Sequence, residues 1–372
     1  MLVGTLGIRL VVWMGKAVPL PAPPAVTQSL TDVTVTNDAD GRDGFQLTLT
    51  LGKSMLLDYA LMSSSALDPM TRVVIGVLMG AKPEVLIDGV ITHHQLAPSN
   101  EPGASTLTVT GKDLTQVMDL EEKNDKFENQ PDFVIAARLI SSYARYGLIP
   151  FTTPTTDIPI MLQRIPRQHE TDLAFLRRLA ERNGYVFYVE PITFGLNKAY
   201  FGPETRVSLP QKALTMNMGA ATNVRSLGFS NDALAPVGTK GTFVEPFLKL
   251  PIPIPQLPSL RLPPLASRPA RAERTVQLRN TANENPARAA TAAVAAVTGS
   301  PEAVRGNGEL DAARYGKVLR ARRLVGVRGV GTSYDGFYYV RSVTHTLSRG
   351  TYTQSFTLSR EGTGTLTPVV VP

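Results

Sequence analysis

The sequence predicts a mainly β protein with an α+β insert, in which two β-barrel, tube-like regions are separated by a small α/β unit. Three observations carry this reading. Charged residues are only 19% of the chain and hydrophobic ones 43%, against a usual charged share near ~25%, so apolar surface is plentiful and solvated helical faces are few. The 372 residues include 30 glycines, 29 prolines and 37 threonines, which are turn-formers and β-branched residues. Strict apolar/polar alternation recurs early and late in the chain and flanks a stretch of helical periodicity. At ~100–200 residues per domain the length suits two or three domains. The same composition excludes a coiled coil, an all-helical bundle and a disordered chain.

The first barrel is expected over residues 1–112. Leu2 to Met14 is apolar apart from Arg9 and a few glycines. A signal peptide would carry its basic residues ahead of the apolar run, and a membrane helix needs ~20 apolar residues. Ile8, Leu10, Val11, Val12 and Trp13 therefore read as a buried strand. Asp32 to Thr36 alternates, then Phe45 to Leu51. Val73 to Leu78 is a buried run, followed by Val85 to Ile91 and Thr106 to Thr110. Period-2 alternation at this spacing is that of antiparallel strands with one buried face, curling into a small barrel or sandwich.

Residues 113–205 form the expected insert. Asp113 to Leu120 can cap a short helix, and Glu121 to Gln130 reads as a polar loop. Pro131 to Tyr146 is predicted helical, with Phe133, Ala136, Ala137, Ile140 and Ala144 on one face and Gly147 as terminator. A second helix is predicted from Thr171 to Arg182, striped by Leu173, Leu176, Leu179 and Ala180 and ended by Asn183-Gly184. Tyr185 to Val189 then reads as a strand.

Residues 206–372 form the second barrel, with strands at Val224 to Phe229 and Gly241 to Val244. A Pro-rich arm (246–270) interrupts them. Proline cannot donate to a sheet ladder, so the arm is expected to be extended and to pack on a neighbouring subunit or partner. A helical insertion (285–323) follows, with helices at Ala287 to Val297 and Leu310 to Arg323. Alternating strands at Gly336 to Val343 and Tyr352 to Leu358 close the chain.

The sequence carries little chemistry. There is no cysteine, which removes disulfides, thiolate metal sites and cysteine nucleophiles. Phosphate-binding loops, nucleophile elbows and zinc helices are missing. Of the four histidines, His93 and His94 are adjacent on a predicted strand and point to opposite faces. His169 and His345 have no companions. Asn37 to Gly44 resembles part of a calcium loop, but placing Asp38, Asp40 and Gly41 at positions three, five and six puts Leu47 where the bidentate glutamate belongs. A turn is the better account. Glu170 and Asp172 lie at a helix start, where carboxylates complement the helix dipole. The formal charge of +7 and pI near 9.6 allow an acidic partner without requiring one. The most concentrated charge is Arg314, Lys317, Arg320, Arg322, Arg323 and Arg328 (314–328), read either as a solvated helix end or as a nucleic-acid or acidic-partner patch. Asp119, Glu121, Glu122, Asp125 and Glu128 form an acidic, solvent-facing segment. No catalytic, cofactor-binding or metal-binding residue is assigned, and neither a cofactor nor a small-molecule substrate is expected.

The most distinctive run is Gln168 to Phe187, read as Gln-His-Glu-Thr-Asp-Leu-Ala-Phe-Leu-Arg-Arg-Leu-Ala-Glu-Arg-Asn-Gly-Tyr-Val-Phe. It resembles the Gln-x-x-Glu-(Ser/Thr)-Asp-x-x-Phe-Leu-x-Arg-Leu-x-Glu-x-x-Gly-x-x-Phe run of phage late control protein D and of VgrG spike proteins, with Gln168 and Glu170 one residue closer than the common spacing. Tyr339 to Gly350 followed by Tyr352 to Leu358 looks like that family's closing hairpin, as Thr108 to Leu114 looks like its first domain boundary. The resemblance covers most of the chain in order, the Pro-rich arm excepted. It implies a non-enzymatic baseplate hub of a contractile phage tail or phage-like contractile injection system, a virion or particle component assembled in the bacterial cytoplasm without membrane insertion. It also implies a homotrimer whose six barrels match a hexameric inner tube while its three-fold axis meets a spike, with other baseplate proteins around it. VgrG spikes continue into a further barrel and a needle, whereas Glu361 to Pro372 is twelve residues, so a separate trimeric spike is expected, with Val369 to Val371 as a contact. The rival readings are a tail-associated cell-wall or glycan hydrolase and a nucleic-acid-binding module using 314–328.

Overall fold

The computed structural model describes residues 7–16, 18–54, 58–59, 61, 65–80, 82–101, 103–157, 159, 165–244, 250–254, 259–278 and 286–367. Residues 2–6, much of the Pro-rich arm and the 369–371 tail contact lie outside the described residues.

Alternation becomes burial wherever it was read. In strand Leu30–Asp38 Val33 and Val35 point inward, and in Gly44–Leu51 Phe45, Leu47, Leu49 and Leu51 do. Each fully buried aliphatic side chain of this kind contributes roughly 1.5–3 kcal/mol. These strands belong to one 13-stranded sheet. Its path begins with Val224–Asn231, Val304–Asp311, Thr351–Arg360 and Gly336–Ser348, then crosses to Leu30–Asp38, Gly44–Leu51 and Ser105–Asp113. It ends through Lys82–Ala97, Arg72–Met79, Ile8–Gly15 and Leu20–Pro21. Gln211–Thr215 and Leu324–Arg328 branch from it beside Gly336–Ser348.

The two strand-rich regions are thus halves of one sheet, and no closed barrel is formed by pairing among the described residues. The seam is Gly336–Ser348. Its first part pairs with Leu324 to Val327 and its later part, Ser342 to Leu347, with Val33 to Asp38. A bulge at Arg341 separates the two pairings, since an extra residue turns the strand toward a new partner. Thr36 and Thr344 face each other across the seam, their hydroxyls 3.3 Å apart. Each half keeps its own apolar core, one around Leu47 and Ile75 and the other around Leu214 and Val340.

The insert packs helices Asp132–Ser141 and Asp172–Arg182 with a three-stranded sheet of Leu148–Thr152, Leu196–Gly202 and Val186–Thr193. Gly147 ends its first helical segment with φ +76°, and a Cβ there would meet the carbonyl oxygen of Gly195 at 1.9 Å. Only glycine fits.

Four expectations change. Residues Glu122–Lys126 are a strand, paired antiparallel with Arg167–Thr171, not a loop. The first helix buries Asp132, Ile135, Ala136, Leu139 and Ile140, a stripe rotated from the expected one because the helix is shorter and Asp132 itself turns inward. The helix expected from Leu310 to Arg323 is one turn, Ala312–Tyr315, between the end of strand Val304–Asp311 and an irregular strap over 316–323. Asp311 caps that turn, and Gly316 stops it with φ +76°. Lastly, two described arm segments are extended, as expected, but pair with their own chain: Pro251–Pro253 with Thr242–Val244, and Ala266–Pro269 with Gly362–Thr365.

Candidate functional site: the strap and its ionic junctions

The residues with the most chemistry are spent on structure. Among the described residues no three metal-ligating side chains cluster. His93 and His169 are exposed. His345 is buried with its Nδ1 2.9 Å from the Tyr352 hydroxyl, and burial holds it down near 3. In the calcium-like loop Asp38 accepts from the backbone N–H of Asp40, an Asx turn. Asp43 accepts from the Asp38 N–H, from Asn37 and from Arg322 at 2.6 Å. Its charge is thereby answered by a guanidinium.

The Gln168 to Phe187 run has a physical basis. Asp172, buried in the first turn of its helix, accepts from Gln168 at 2.7 Å, from the Tyr143 hydroxyl at 2.7 Å and from Lys123. Burial and that carboxylate push the Tyr143 phenol well above its usual range. Thr171 caps the helix by accepting from the Ala174 N–H. Asp172 therefore does more than complement a dipole: it ties the helix to strand Glu122–Lys126 and to the segment after the first helix. Glu170 pairs instead with the half-exposed Arg178.

The basic 314–328 cluster divides. Arg314, Lys317 and Arg323 are exposed. Arg320 bonds Glu84 at 2.8 Å and the carbonyl of Val85. Arg322 reaches Asp43 and stacks 4.2 Å over the Tyr188 ring, and Arg328 donates to the Thr215 hydroxyl. Between them Val318 enters the first β core and Leu319 the second. Residues 316–323 thus strap one half of the sheet to the other, and the patch no longer offers the contiguous basic face that nucleic-acid binding needs.

Three buried ionic junctions accompany the strap. Arg72 holds Asp88 bidentately, and Asn197 of the insert donates to the same carboxylate at 2.8 Å. At the second, Arg322 and Asp43 lie beside Asp113, whose carboxyl is raised to about 7 by burial and by the Asp43 charge. At the third, Arg206, with a side chain 0% exposed, bridges Glu204, Glu302 and Glu361. Burial opposes the charge of Glu204, but Arg341, Arg261 and Arg206 outweigh it and hold the carboxyl below its usual range. Sequence reasoning found none of these junctions, because their partners are up to 279 residues apart and no short-range pattern marks them.

With this geometry in hand, the comparisons are specific to fold. No protein-family model matches the chain, and no curated protein matches it. The tail protein of Neisseria meningitidis superposes with a TM-score of 0.65 at 14% identity, over 95% of this chain and 97% of that one. The 43 kDa tail protein of prophage MuSo2 from Shewanella oneidensis gives 0.62 at 16% identity, over 95% and 98%. An E. coli component of the type VI secretion system gives 0.54 at 12% identity, over 92% and 77%. The fold is that of phage tail proteins and VgrG-like hub proteins, as the helix run and closing hairpin implied.

Proposed function

We propose that this chain is a structural hub subunit of the baseplate of a contractile phage tail or phage-like injection system, working through interfaces and not through catalysis. In this reading it is a homotrimer that adapts a six-fold inner tube to a three-fold spike, with other baseplate proteins around it. The observation that carries the proposal is the seam. One chain lays two β regions side by side in a continuous sheet, so three copies present six. The end-to-end likeness to two tail proteins, one of them from a prophage, supports it. The division into 1–112, 113–205 and 206–372 belongs to the same proposal, as does placement in a virion tail or injection particle. Among the described residues no helix is long and apolar enough to cross a membrane. Mass measurement on assembled particles is expected to find three copies per ring. Six copies would overturn the symmetry-matching reading.

A further inference from the structure

Beside helix Asp172–Arg182 an open cleft of about 990 Å³ forms where all three parts of the chain meet. Seven arginines line it, against the acids Asp40, Glu181 and Glu204, while alanines of helix Pro286–Thr298 make an apolar wall. Several of these arginines are occupied: Arg178 with Glu170, and Arg341 with Glu204. The Arg177 side chain donates only to the carbonyl of Gly41, and the exposed side chains of Arg42 and Arg305 have no hydrogen-bond or ion-pair partner among the described residues. Strong donors are left facing an open groove, and carboxylates are the side chains they recognise best.

The same chain carries the complementary surface. Strand Glu122–Lys126 pairs on one side with Arg167–Thr171, and its other edge is open among the described residues. Glu121, Glu122, Asp125 and Glu128 along it are exposed and without ion-pair partners among the described residues. Lys123 does not offset them, because its charge is spent on Asp172, and the exposed Lys126 offsets one of the four carboxylates, leaving the edge acidic. A five-residue register fixes this strand to the segment that leads directly into helix Asp172–Arg182. Edge and cleft are therefore built on one rigid unit, and a chain cannot fold its own edge into its own cleft.

We propose that the arginine-lined cleft receives the acidic Glu122–Lys126 edge of a second copy of this chain. The inference rests on the reading of the chain as an oligomeric hub subunit and deepens it by naming the surfaces that meet. The two surfaces differ, so the contact is head-to-tail, each copy giving an edge to one neighbour and receiving one from the other. Such a contact closes into a ring when its rotation does. Charge at an exposed interface chiefly sets orientation and encounter rate, and it weakens with salt over a Debye length of ~10 Å at 0.1 M.

Because the chain has no cysteine, paired cysteines report the contact cleanly. Full-length protein carrying Arg305→Cys and Glu122→Cys together, oxidised, is expected to give a cross-linked product of three chain masses through a two-chain intermediate. Each single-cysteine variant is expected to give none. Reversing Arg42→Glu and Arg305→Glu is expected to weaken self-association about tenfold, and adding Glu121→Lys and Glu122→Lys to restore it. All these positions are exposed, and thermal melts matching the wild type establish that the variants fold. If the double-cysteine protein does not cross-link while the wild type is a trimer, the cleft contact is wrong and the hub reading stands. If the wild type is also monomeric at every concentration, both fall. Single-cysteine variants that cross-link as readily as the pair would overturn the head-to-tail contact, and a ladder running past three chains would keep the contact and overturn the trimer.

Discussion

Between Leu30 and Asp113 the strands bury a broad apolar face: Val33, Val35, Leu47, Leu49, Leu107 and Val109 all sit in one core, and the buried Arg72–Asp88 pair lies outside it. Between Glu204 and Arg360 the strands of one region are parted by the arm and by helix Pro286–Thr298, and the largest wholly buried side chains include Arg206, Arg360, Tyr338 and Tyr339. In the first half Leu30–Asp38 joins Gly44–Leu51, and Arg72–Met79, Lys82–Ala97 and Ser105–Asp113 follow one another. Most pairings there are between sequence neighbours, and burial along alternating strands does most of the positioning. The second must bring distant segments to one place. There the contacts that define position are ionic: Arg206 accepts only an arrangement that delivers Glu204, Glu302 and Glu361 together. Buried ion pairs add little net stability over well-packed apolar groups, but removing one partner is costly. Where distant segments meet, ionic contacts carry more of the positioning than they do along sequence-adjacent strands.

Arg206→Met tests the comparison hardest. It leaves two buried carboxylates short of a cation and is expected to cost about 3–5 kcal/mol in urea unfolding. Leu47→Ala in the first half is expected to cost about 2–5 kcal/mol through a cavity. Magnitude alone does not separate them, but rescue does. Adding Glu302→Gln should return part of the Arg206→Met loss, whereas no charge substitution should help Leu47→Ala. Equal response of both variants to Glu302→Gln would break the contrast.

The two halves also differ in pH response. Asp113, at the edge of the first half, titrates near 7 when folded against an ordinary 3.8, with burial as the main cause and Asp43 adding to it. Between those values the folded state holds a proton the unfolded chain has lost, so this residue makes stability fall as pH rises from about 4 to about 7 and then level off. His345, in the second half, sits near 3 through burial, against 6.5. Between 3 and 6.5 the unfolded chain binds the extra proton, so His345 makes stability rise with pH over that window. Each slope is at most about 1.4 kcal/mol per pH unit. Asp113→Asn should therefore steepen the rise below pH 6.5 and abolish the fall just above it, read from melting temperatures across pH 4 to 8. Parallel curves for variant and wild type would refute the assignment.

The smallest expected effect lies at a local feature of the insert, the cap of its second helix. Thr171→Ala removes the cap on Ala174 and the bond to Asp119 and should cost about 1 kcal/mol. Hydrogen exchange should show it as fraying of the first turn of helix Asp172–Arg182. A loss as large as that of Arg206→Met would mean that Thr171 carries more than a local cap.

Much of this architecture was legible in the residues. Alternation marked the buried faces of strands such as Leu30–Asp38 and Gly44–Leu51, because period 2 maps directly onto the two sides of a pleat. Thr171, Asn183 and Gly184 bounded the second insert helix, because capping is a matter of backbone groups a few residues away. The run from Gln168 to Asp172 was legible as a motif, and its reason is a buried hydrogen bond spanning four residues. What tertiary structure alone decided is pairing across distance. The two strand regions merge at Leu30–Asp38 and Gly336–Ser348 through backbone hydrogen bonds that every residue type can make, so no side-chain pattern announces the seam. Strand Glu122–Lys126 looks like a loop because both of its faces are polar and its order comes from its partner. The 316–323 strap lies within the stretch read as one helix from Leu310 to Arg323. Gly316 breaks it, and Val318 and Leu319 then gain more by entering two different cores than by lying on one face. Arg322 illustrates the rule: in sequence it is one cation in a basic run, and only the arrival of Asp43 from 279 residues away makes it a buried anchor.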